Sequence, residues 1–480
     1  MKKILLSPDQ LSREALIALI VQQAEQIEAL QGQVKRLEAQ VEKLERQIAK
    51  NSTNSSKPPS SDGLKKPAPK SQRERGKRKT GGQPGHNGET LEIVDTPDAV
   101  VFHALRQCQQ CQYDLSEVTV DRRMRRQVFD LPPARWEVTE HQAEVKRCPG
   151  CGWVQHAPFP AQVRAPTQYG MRALAQAVYL HSYQLLPLAR IQEWFIDWVG
   201  HGPSEGTIQR ALEQMSAAVA PALDAIYAGV THAEVVRFDE TGLRIAGRLG
   251  WLHTASTPDL TYYTVHAQRG EEALLDAGVL PACRGWAVHD GFTSYWGFTT
   301  VRHALCNAHH LRELEFLVEQ YQAKWAKSMQ LLLLTMKHRR EAAPQGLSRA
   351  VIAALERRYD RLIAQGLAAF PPLPRSPDSK QRVAQHPATN LLLRLRKHRD
   401  AVLAFLRHAE VPFDNNLAER DLRMMKVKQK ISGCFRTWDG AELFVAIRSY
   451  LSTARKQGLS MLHAAHLAFL GSPLIPPLPE

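Results

Sequence analysis

The chain has 480 residues, a hydrophobic content of 44% and a formal net charge of +14. Its length exceeds one ordinary hydrophobic core, so roughly three to four structural units are expected. The excess of Lys and Arg predicts an anionic partner, with nucleic acid ahead of an acidic membrane surface. Few apolar residues precede Ser7, and no run approaches the ~18 apolar residues of a membrane span. We therefore expect neither a secretory signal nor a membrane protein, and a cytoplasmic location.

Residues 8–49 predict one long helix with Ser7 as its N-cap. Apolar residues repeat in heptads, with Ile20, Ile27, Val34, Val41 and Ile48 at position a and Leu16, Leu30, Leu37 and Leu44 at position d. β-branched residues at a with leucine at d favour a parallel two-stranded coiled coil. The flanking residues are almost all Gln, Glu, Lys or Arg, which leaves little surface for the alternative, packing against the chain's own core. Residues 1–50 are therefore predicted to form a homodimer or a larger assembly.

Residues 51–95 are predicted to be a linker that is first rich in Ser and Pro and then basic. Its first part is dominated by Asn, Ser and Pro and cannot form a core. Nine basic residues lie between Lys57 and Lys79, against two acidic ones. Such a segment is typical of a flexible arm that lies along phosphates, and the alternative is a solvated linker. The predicted DNA contacts in it are Lys65, Lys66, Arg73, Arg75, Lys77, Arg78 and Lys79.

Residues 96–157 carry two pairs of cysteines with the spacing of zinc knuckles. The pairs are Cys108 with Cys111 and Cys148 with Cys151. In a reducing compartment the seven cysteines argue for metal ligands or free thiols over disulfides, and four thiolates suit tetrahedral Zn²⁺. Between the knuckles, residues 127–131 and 136–146 alternate as strands do. The segment predicts a structural zinc ribbon, and DNA contact through Arg122, Arg123, Arg125 and Arg126 is an open alternative.

Residues 165–232 are helical by spacing. One amphipathic segment covers residues 188–199, a Gly-containing turn follows, and Ser204 can cap a second helix that starts at Glu205. This arrangement is compatible with a helix-turn-helix that reads DNA with Arg210 facing outward. Plain helical packing explains it equally well.

From residue 234 the pattern changes to short strands. The predicted strands cover residues 234–238, then two or three further strands over 243–246, 251–256 and 260–266, and finally 285–289 and 301–306, with a helix at 271–277 and another from Asn307. The order β-β-β-α-β-α-β-α is the RNase H topology, a mixed sheet with helices on both faces. The fold class is therefore multidomain α+β. Residues 233–310 form the first part of an RNase-H-like α/β catalytic core, residues 311–410 a helical insertion and residues 411–480 the rest of the core.

Three acidic residues are the candidate catalytic groups. Asp239 and Asp290 each end a predicted strand, so their carboxylates are expected to meet at one edge of the sheet. Glu419 lies in the first turns of a helix that Asp414 or Asn415 caps. Phosphoryl transfer uses two Mg²⁺ ions, and hard cations prefer carboxylate oxygens. Each acid taken singly is more often a turn residue, but the three together predict a metal site, with Glu240 a less favoured ligand.

The helix that carries Glu419 is strongly basic. Its predicted phosphate contacts are Arg420, Arg423, Lys426, Lys428 and Lys430, and the alternative is a solvated helical face. Upstream, Cys306 and His309 are spaced as metal ligands. Two ligands without an obvious third partner favour packing beside the active site over a second zinc site.

The sequence resembles a known family, the transposases of the insertion-sequence 66 type, over nearly its whole length. The shared features, in this order, are the N-terminal zipper, Asn54-Ser55-Ser56-Lys57-Pro58-Pro59-Ser60-Ser61-Asp62, Gly81-Gly82-Gln83-Pro84-Gly85-His86, the four-cysteine knuckles, Asp239-Glu240-Thr241, His289-Asp290-Gly291, Cys306-x2-His309-x2-Arg312 and Asp414-Asn415-Asn416-x2-Glu419-Arg420. Each motif is weak alone, and together they are specific.

The resemblance implies a DNA transposase whose Asp239, Asp290 and Glu419 form a DDE triad. It implies two Mg²⁺ ions per active site, with Mn²⁺ as a substitute, and structural Zn²⁺. It also implies double-stranded DNA as the partner, both the terminal inverted repeats of a mobile element and the target, with Arg312 among the DNA contacts. Accessory proteins of the same element and a bacterial, nucleoid-associated location follow from the same resemblance.

Two other functions fit part of the pattern. A structure-selective nuclease on the same fold would use the same acids and metals, but it has less need of a zipper and an inserted helical domain. A zinc-containing DNA-binding regulator without catalysis would explain the zipper and the basic arm. The intact acids speak against the regulator, and DNA strand joining distinguishes the transposase from the nuclease.

Overall fold

The computed structural model describes residues 12–51, 54, 91–374 and 383–477. The predicted helix start at Pro8, its cap Ser7 and most of the basic linker lie outside these residues. The predicted DNA contacts that lie outside them are Lys65, Lys66, Arg73, Arg75, Lys77, Arg78 and Lys79. Among the helices of the described residues, none combines the length and the apolar character that crossing a bilayer requires.

The chain divides into two compact units of a mixed α+β protein. The larger unit comprises Met1–Pro69, Thr167–Gln192 and Pro203–Glu480, and the smaller unit comprises Lys70–Pro166 and Glu193–Gly202.

The N-terminal helix of the larger unit is α1 (Arg13–Ala49), which starts where Ser12 accepts a hydrogen bond from the backbone N–H of Ala15. The residues of the predicted heptad seam are exposed, from 52% at Val34 to 84% at Ile48, except for the half-buried Leu16. Beyond the helix, the buried Asn54 donates to the carbonyl of Ala49 and to the carboxylate of Glu319. The helix is thus present and its seam is uncovered within one chain, while the coiled coil stays a prediction.

The smaller unit contains a short antiparallel hairpin of β1 (Val145–Arg147) and β2 (Val154–His156). The strands predicted over residues 127–131 and 136–146 are wrong except for the last two residues of the second. Val128, Leu131 and Val138 are 86–91% exposed. Alternating residues favour extended backbone, but a strand forms only where a second strand pairs with it.

Four more helices precede the large sheet in the region that was predicted to be helical, and the bounds of α3 and the start of α4 match their predicted positions. They are α2 (Met171–Ser182), α3 (Leu188–Val199), α4 (Glu205–Ala218) and α5 (Ala220–His232). Ser204 caps α4 by accepting from the backbone N–H of Thr207 at 3.2 Å. Arg210 is exposed on α4, as the helix-turn-helix interpretation requires. DNA reading by these helices stays a prediction.

The large sheet has five strands in the order β5-β4-β3-β6-β7. They are β3 (Val235–Ile245), β4 (Arg248–Ser256), β5 (Thr261–His266), β6 (Trp286–His289) and β7 (Arg302–Leu305). β3 is antiparallel to β4 and parallel to β6, and β6 is parallel to β7. The strands predicted at 234–238 and 243–246 are one strand, because β4 pairs with β3 without interruption from Arg237 to Ile245.

The described helices that follow β5 in the chain are α6 (Glu271–Ala277), α7 (Val279–Ala282), α8 (Asn307–Tyr321), α9 (Lys324–Glu341), α10 (Arg349–Ala369), α11 (Pro387–Lys397), α12 (Arg399–Arg407), α13 (Asn416–Ile431), α14 (Trp438–Lys456) and α15 (Met461–Phe469). Helices pack on both faces of the sheet, whereas α10 and α11 pack mainly on other helices. The helix expected between β6 and β7 is instead a 3₁₀ turn at Thr293–Gly297. Val236 and Phe238 of β3 pack against α5–α7, whereas Leu243 and Ile245 pack towards α13 and α14.

Candidate active site

The strand register brings two of the predicted acids to one edge of the sheet. β3 pairs in parallel with β6, with Val235 opposite Trp286 and Arg237 opposite Val288. Continuing this register by two residues sets Asp239 opposite Asp290, the residue that follows β6. Neighbouring strands lie about 4.8 Å apart, so the two carboxylates share one corner of the core. Asp239 lies inside β3 and not at its end, because β4 keeps pairing beyond it.

Glu419 lies close enough to these two acids to affect the pKa of Asp239. The pKa of Asp239 is raised well above its usual range, first by burial and then by the negative charges of Glu240, Asp290 and Glu419. Among the described residues the three predicted catalytic carboxylates do not all lie within 4.8 Å of one another. They form an open group of like charges, which a bound cation would neutralise.

Asn415 fixes the start of α13, and with it the position of Glu419. Its side-chain amide donates to the carbonyl of Phe238, the residue before Asp239, at 2.7 Å. Its backbone N–H donates to the thiol of Cys306 at 3.2 Å. Asn415 is the N-cap residue but its side chain makes no capping hydrogen bond, and the carboxylate of Asp414 accepts from the backbone N–H of Asn416 just before the helix. The helix that carries the third acid is thus tied to the strand that carries the first.

Glu419 lies against the first turns of α8. Its Oε1 is 4.0 Å from Nδ1 of His309 and 3.9 Å from a terminal nitrogen of Arg312. Both distances exceed a hydrogen bond, and among the described residues the buried Glu419 Oε1 and His309 Nδ1 have no hydrogen-bond partner. Cys306, His309 and Glu419 also present a sulfur, a nitrogen and an oxygen that all lie within 4.8 Å of one another.

Glu240 belongs to a separate buried network beside Asp239. Arg269 donates to its carboxylate at 2.7–2.8 Å, and the hydroxyl of Tyr295 donates at 2.7 Å. Arg269 also stacks on Phe292 and lies 3.9 Å from Asp290. Sequence reasoning missed Arg269 and Tyr295, because neither lies in a motif and both reach the site through tertiary packing.

A second missed group anchors α13 from its far side. Asp421, two residues after Glu419, accepts from Lys456 at 2.7 Å and from the hydroxyl of Thr261 at 3.3 Å. The ammonium of Lys456 also donates to Ser256 and to two backbone carbonyls, Thr257 and Leu260. This group joins α13 and α14 to the ends of β4 and β5, and no spacing in the sequence signals it.

The basic residues of α13 fall into an exposed set and a buried or half-buried set, according to the helical period. Arg420, Arg423 and Lys430 are exposed. Lys426 is half-buried and donates to the carbonyl of Gly242 at 3.0 Å. Lys428 is only 4% exposed, its ammonium lies over the ring of Phe435, and burial lowers its pKa to about 8. It follows the buried Met424 and Met425 by four and three residues, so it shares their inward face.

Comparison with known proteins identifies the family. The model of the Transposase IS66 family matches residues 166–443, which is more than half of the chain and includes all three predicted acids. The chain belongs to this transposase family. The zinc-finger binding domain of transposase IS66 matches residues 106–152, and a family of unknown function (DUF6444) matches residues 8–92.

One curated protein shares a short stretch with this IS66-family chain. Over 73 residues the chain is 36% identical to the uncharacterized protein y4jO of Sinorhizobium fredii (strain NBRC 101917 / NGR234). The match covers 15% of this chain and 23% of that protein, so the chain spans under a quarter of the length of this relative.

The four cysteines of the zinc-finger match form two knuckles. In each knuckle the first cysteine, Cys108 or Cys148, has a lowered pKa, and the largest cause is a hydrogen bond from the backbone N–H of the second, Cys111 or Cys151. Such hydrogen bonds favour the thiolate that zinc requires. Among the described residues no three of the four sulfurs lie within 4.8 Å of one another. Each knuckle is therefore formed on its own, without the four sulfurs being gathered around one point. The chemistry of the four cysteines fits structural Zn²⁺.

Removing zinc is expected to unfold the zinc-finger segment. The strands β1 and β2, which flank the second knuckle, have three residues each and exposed side chains, so the metal supplies most of the folding free energy there. We expect Cys148→Ser to lose one zinc ion per chain and to make residues 106–152 sensitive to protease, as measured by zinc content and limited proteolysis. The control is Cys434→Ser, at an exposed cysteine outside the knuckles. Zinc and protection retained in Cys148→Ser would contradict the assignment.

Proposed function

We propose that this IS66-family chain is a DDE transposase with an RNase-H-like catalytic core. It cleaves the ends of a mobile element and joins the resulting 3′-hydroxyl to target DNA. The observation that carries the proposal is the grouping of Asp239, Asp290 and Glu419. These acids lie far apart in the sequence, yet the charges of Asp290 and Glu419 both raise the pKa of Asp239. The sheet order β5-β4-β3-β6-β7, with its one antiparallel and one parallel half, supports the RNase-H-like assignment.

The donor set of this corner fits two Mg²⁺ ions, or Mn²⁺ in their place. Carboxylate oxygens are the ligands that these hard cations prefer. The raised pKa of Asp239 and the unpartnered Oε1 of Glu419 are both features that a cation would relieve. When bound, the metal ions supply activation of the attacking water or hydroxyl and stabilisation of the leaving oxygen.

The protein's own residues hold this arrangement together. In our proposal Asp239, Asp290 and Glu419 would hold the two metal ions, with Asp239 shared between them. Asn415 keeps the helix of Glu419 against β3, and Arg269 engages the carboxylate of Glu240 so that Glu240 is not free to act as a metal ligand. No protein general base is required, because the acids act as ligands and the proton leaves to solvent.

The DNA surface that we propose surrounds this corner. Arg312 is part of the cluster around Glu419, and Arg420 and Arg423 are exposed on the same helix. Lys426 contributes partly, because its ammonium is engaged with Gly242. Lys428 is left out, because it is buried. The basic linker and Arg210 remain proposed contacts, which would steer the phosphate backbone without reading its sequence.

We also propose an assembly and a division of labour along the chain. Residues 1–50 pair as a coiled coil, which the exposed heptad seam of α1 supports. Residues 51–95 link to the zinc domain at 96–157, residues 165–232 are a helical region, and residues 311–410 are inserted between the two parts of the core. A dimer would bring two DNA ends together, with accessory proteins of the same element as further partners.

The test compares the wild type with Glu419→Gln on labelled DNA that carries the element's own ends. With Mg²⁺ the wild type is expected to cleave and join, and Glu419→Gln is expected to bind DNA but lose both reactions by about 10³-fold. Gln keeps the size of the side chain and removes the charge that a metal needs. The matched control is Glu341→Gln, at an exposed glutamate on α9.

The other outcomes separate the rival functions. Cleavage without joining would identify a nuclease on the same fold. DNA binding without any reaction in either protein, with accessory proteins supplied, would identify a regulator without catalysis. Equal activity of Glu419→Gln and wild type would overturn the role of the third acid.

A further inference from the structure

We propose that Cys306, His309 and Glu419 form a second zinc site, separate from the knuckles and beside Asp239 and Asp290. Their sulfur, nitrogen and oxygen atoms lie within 4.8 Å of one another. In a tetrahedral site the ligand atoms are about 3.5 Å apart, given Zn–S and Zn–N distances of about 2.3 and 2.0 Å. Side-chain adjustments of about 1 Å would therefore close the three atoms around one ion, with a fourth position left for water.

The fold holds the backbone of this site firmly. Cys306 follows β7 and caps α8, His309 lies in the first turn of α8, and Glu419 lies in the first turn of α13. The two helix starts are joined by hydrogen bonds from the N–H of Asn307 to the carbonyl of Phe413 and from the N–H of Asn415 to the Cys306 sulfur. Only the ends of the side chains have to move.

Two of the three ligand atoms are buried polar atoms without a hydrogen-bond partner. Within the part of the chain that the structure describes, this holds for His309 Nδ1 and Glu419 Oε1. Native proteins seldom leave such atoms unsatisfied, so each one indicates a missing water, ion or ligand. A single cation between them would satisfy both at once.

The mixture of ligand types selects the ion. Thiolate and imidazole are preferred by Zn²⁺, whereas Mg²⁺ takes oxygen ligands. Burial and the negative charge of Glu419 raise the pKa of the Cys306 thiol to about 12, and the hydrogen bond from the backbone N–H of Asn415 opposes this shift, so the ion itself would have to displace the thiol proton. Zinc binding would release the thiol proton to solvent, and the thiolate and the Glu419 carboxylate would together balance the two charges of the ion.

This site has a consequence that rests on the proposed function. Glu419 would serve both the catalytic Mg²⁺ and the zinc ion, so the two ions compete for one carboxylate. Zinc would draw Glu419 towards α8 and away from Asp239 and Asp290. Occupancy of the second site is thus expected to inhibit the Mg²⁺-dependent reaction.

The test counts zinc ions in the full-length chain after equilibration with zinc and removal of the excess. We expect two per chain in the wild type and one in Cys306→Ala and in His309→Gln. The control Cys283→Ala, at another buried cysteine next to α7, is expected to keep two. Thermal unfolding shows whether each variant is folded. If only one of the two site variants is folded, the zinc count of that variant decides the result. One zinc in the wild type, or two in both folded site variants, would overturn the proposal.

A second arm separates this proposal from the proposed function. Added Zn²⁺ is expected to inhibit wild-type DNA cleavage, measured relative to each protein's own rate with Mg²⁺ alone, at least tenfold more strongly than it inhibits Cys306→Ala. Two zinc ions without any cleavage would support the site and count against the transposase activity. One zinc ion with normal cleavage would overturn the site and leave the transposase activity standing.

Discussion

Asp239→Asn is expected to eliminate Mg²⁺-dependent DNA cleavage and, at the same time, to stabilise the metal-free protein. The loss of activity is expected to reach about 10³-fold or more, because an amide cannot replace the carboxylate that would hold both metal ions in the proposed mechanism. Cleavage of labelled element ends measures this loss. Retained cleavage would contradict the role of Asp239.

The stability effect follows from the charge of the site. The folded protein raises the pKa of Asp239, by burial and by three neighbouring acids, so folding becomes less favourable as the pH rises from the unfolded pKa of Asp towards the folded value. Asn is neutral at every pH and avoids this cost. Near neutral pH we expect a melting temperature of Asp239→Asn that is a few degrees higher than that of the wild type in EDTA.

Added Mg²⁺ is expected to reverse the order of stability. Ligand that binds only the folded state stabilises it, and the wild type has the intact ligand set. Unfolding curves with EDTA and with Mg²⁺ measure both effects. The control is Asp224→Asn, at an exposed aspartate on α5, which is expected to change neither curve. A less stable Asp239→Asn in EDTA would show that the carboxylate is stabilising and would contradict the charge argument.

Lys456→Met is expected to lower the free energy of unfolding by about 3 kcal/mol. Removing one partner of a buried ion pair leaves the other charge unpaired. Here the lost ammonium donates to Asp421, to Ser256 and to the carbonyls of Thr257 and Leu260. Because Asp421 follows Glu419 by two residues on α13, DNA cleavage is also expected to fall. Urea unfolding and the cleavage assay measure the two effects.

The control for this prediction is an exposed ion pair. Lys146 and Glu144 form an ion pair in which the side chains are 72% and 74% exposed, and Lys146→Met is expected to cost at most about 0.5 kcal/mol. The double variant Lys456→Met with Asp421→Leu is expected to be more stable than Lys456→Met alone, because no unpaired charge remains. A Lys456→Met protein as stable as the wild type would show that the pair does not anchor α13.

Local signals made much of the fold predictable. The bounds of α3 and α6, the start of α8 at Asn307 and the cap of α4 by Ser204 match the sequence-based expectations. Each depends on residues a few positions apart, through helical period or capping. The strands β4 to β7 were predicted within a few residues for the same reason, since alternation and turn residues mark them.

The errors lie where the partner is distant in the sequence. Asp239 was expected at the end of a strand, but pairing with β4 extends β3 beyond it. The strands predicted between the zinc knuckles lack a partner strand. Lys428 was expected on the DNA surface, but the packing of α13 against the sheet turns it inward.

The sequence by itself determined the family, the candidate acids, the zinc knuckles and most helices, because motifs and short-range periodicity are written in consecutive residues. Only the tertiary structure decided which distant groups meet. It joined Lys456 to Asp421 and Arg269 to Glu240, and it brought Glu419 to Cys306 and His309, more than one hundred positions away. Such contacts depend on how β3, β7, α8 and α13 pack together, and that packing is set by burial over the whole core and not by any local spacing.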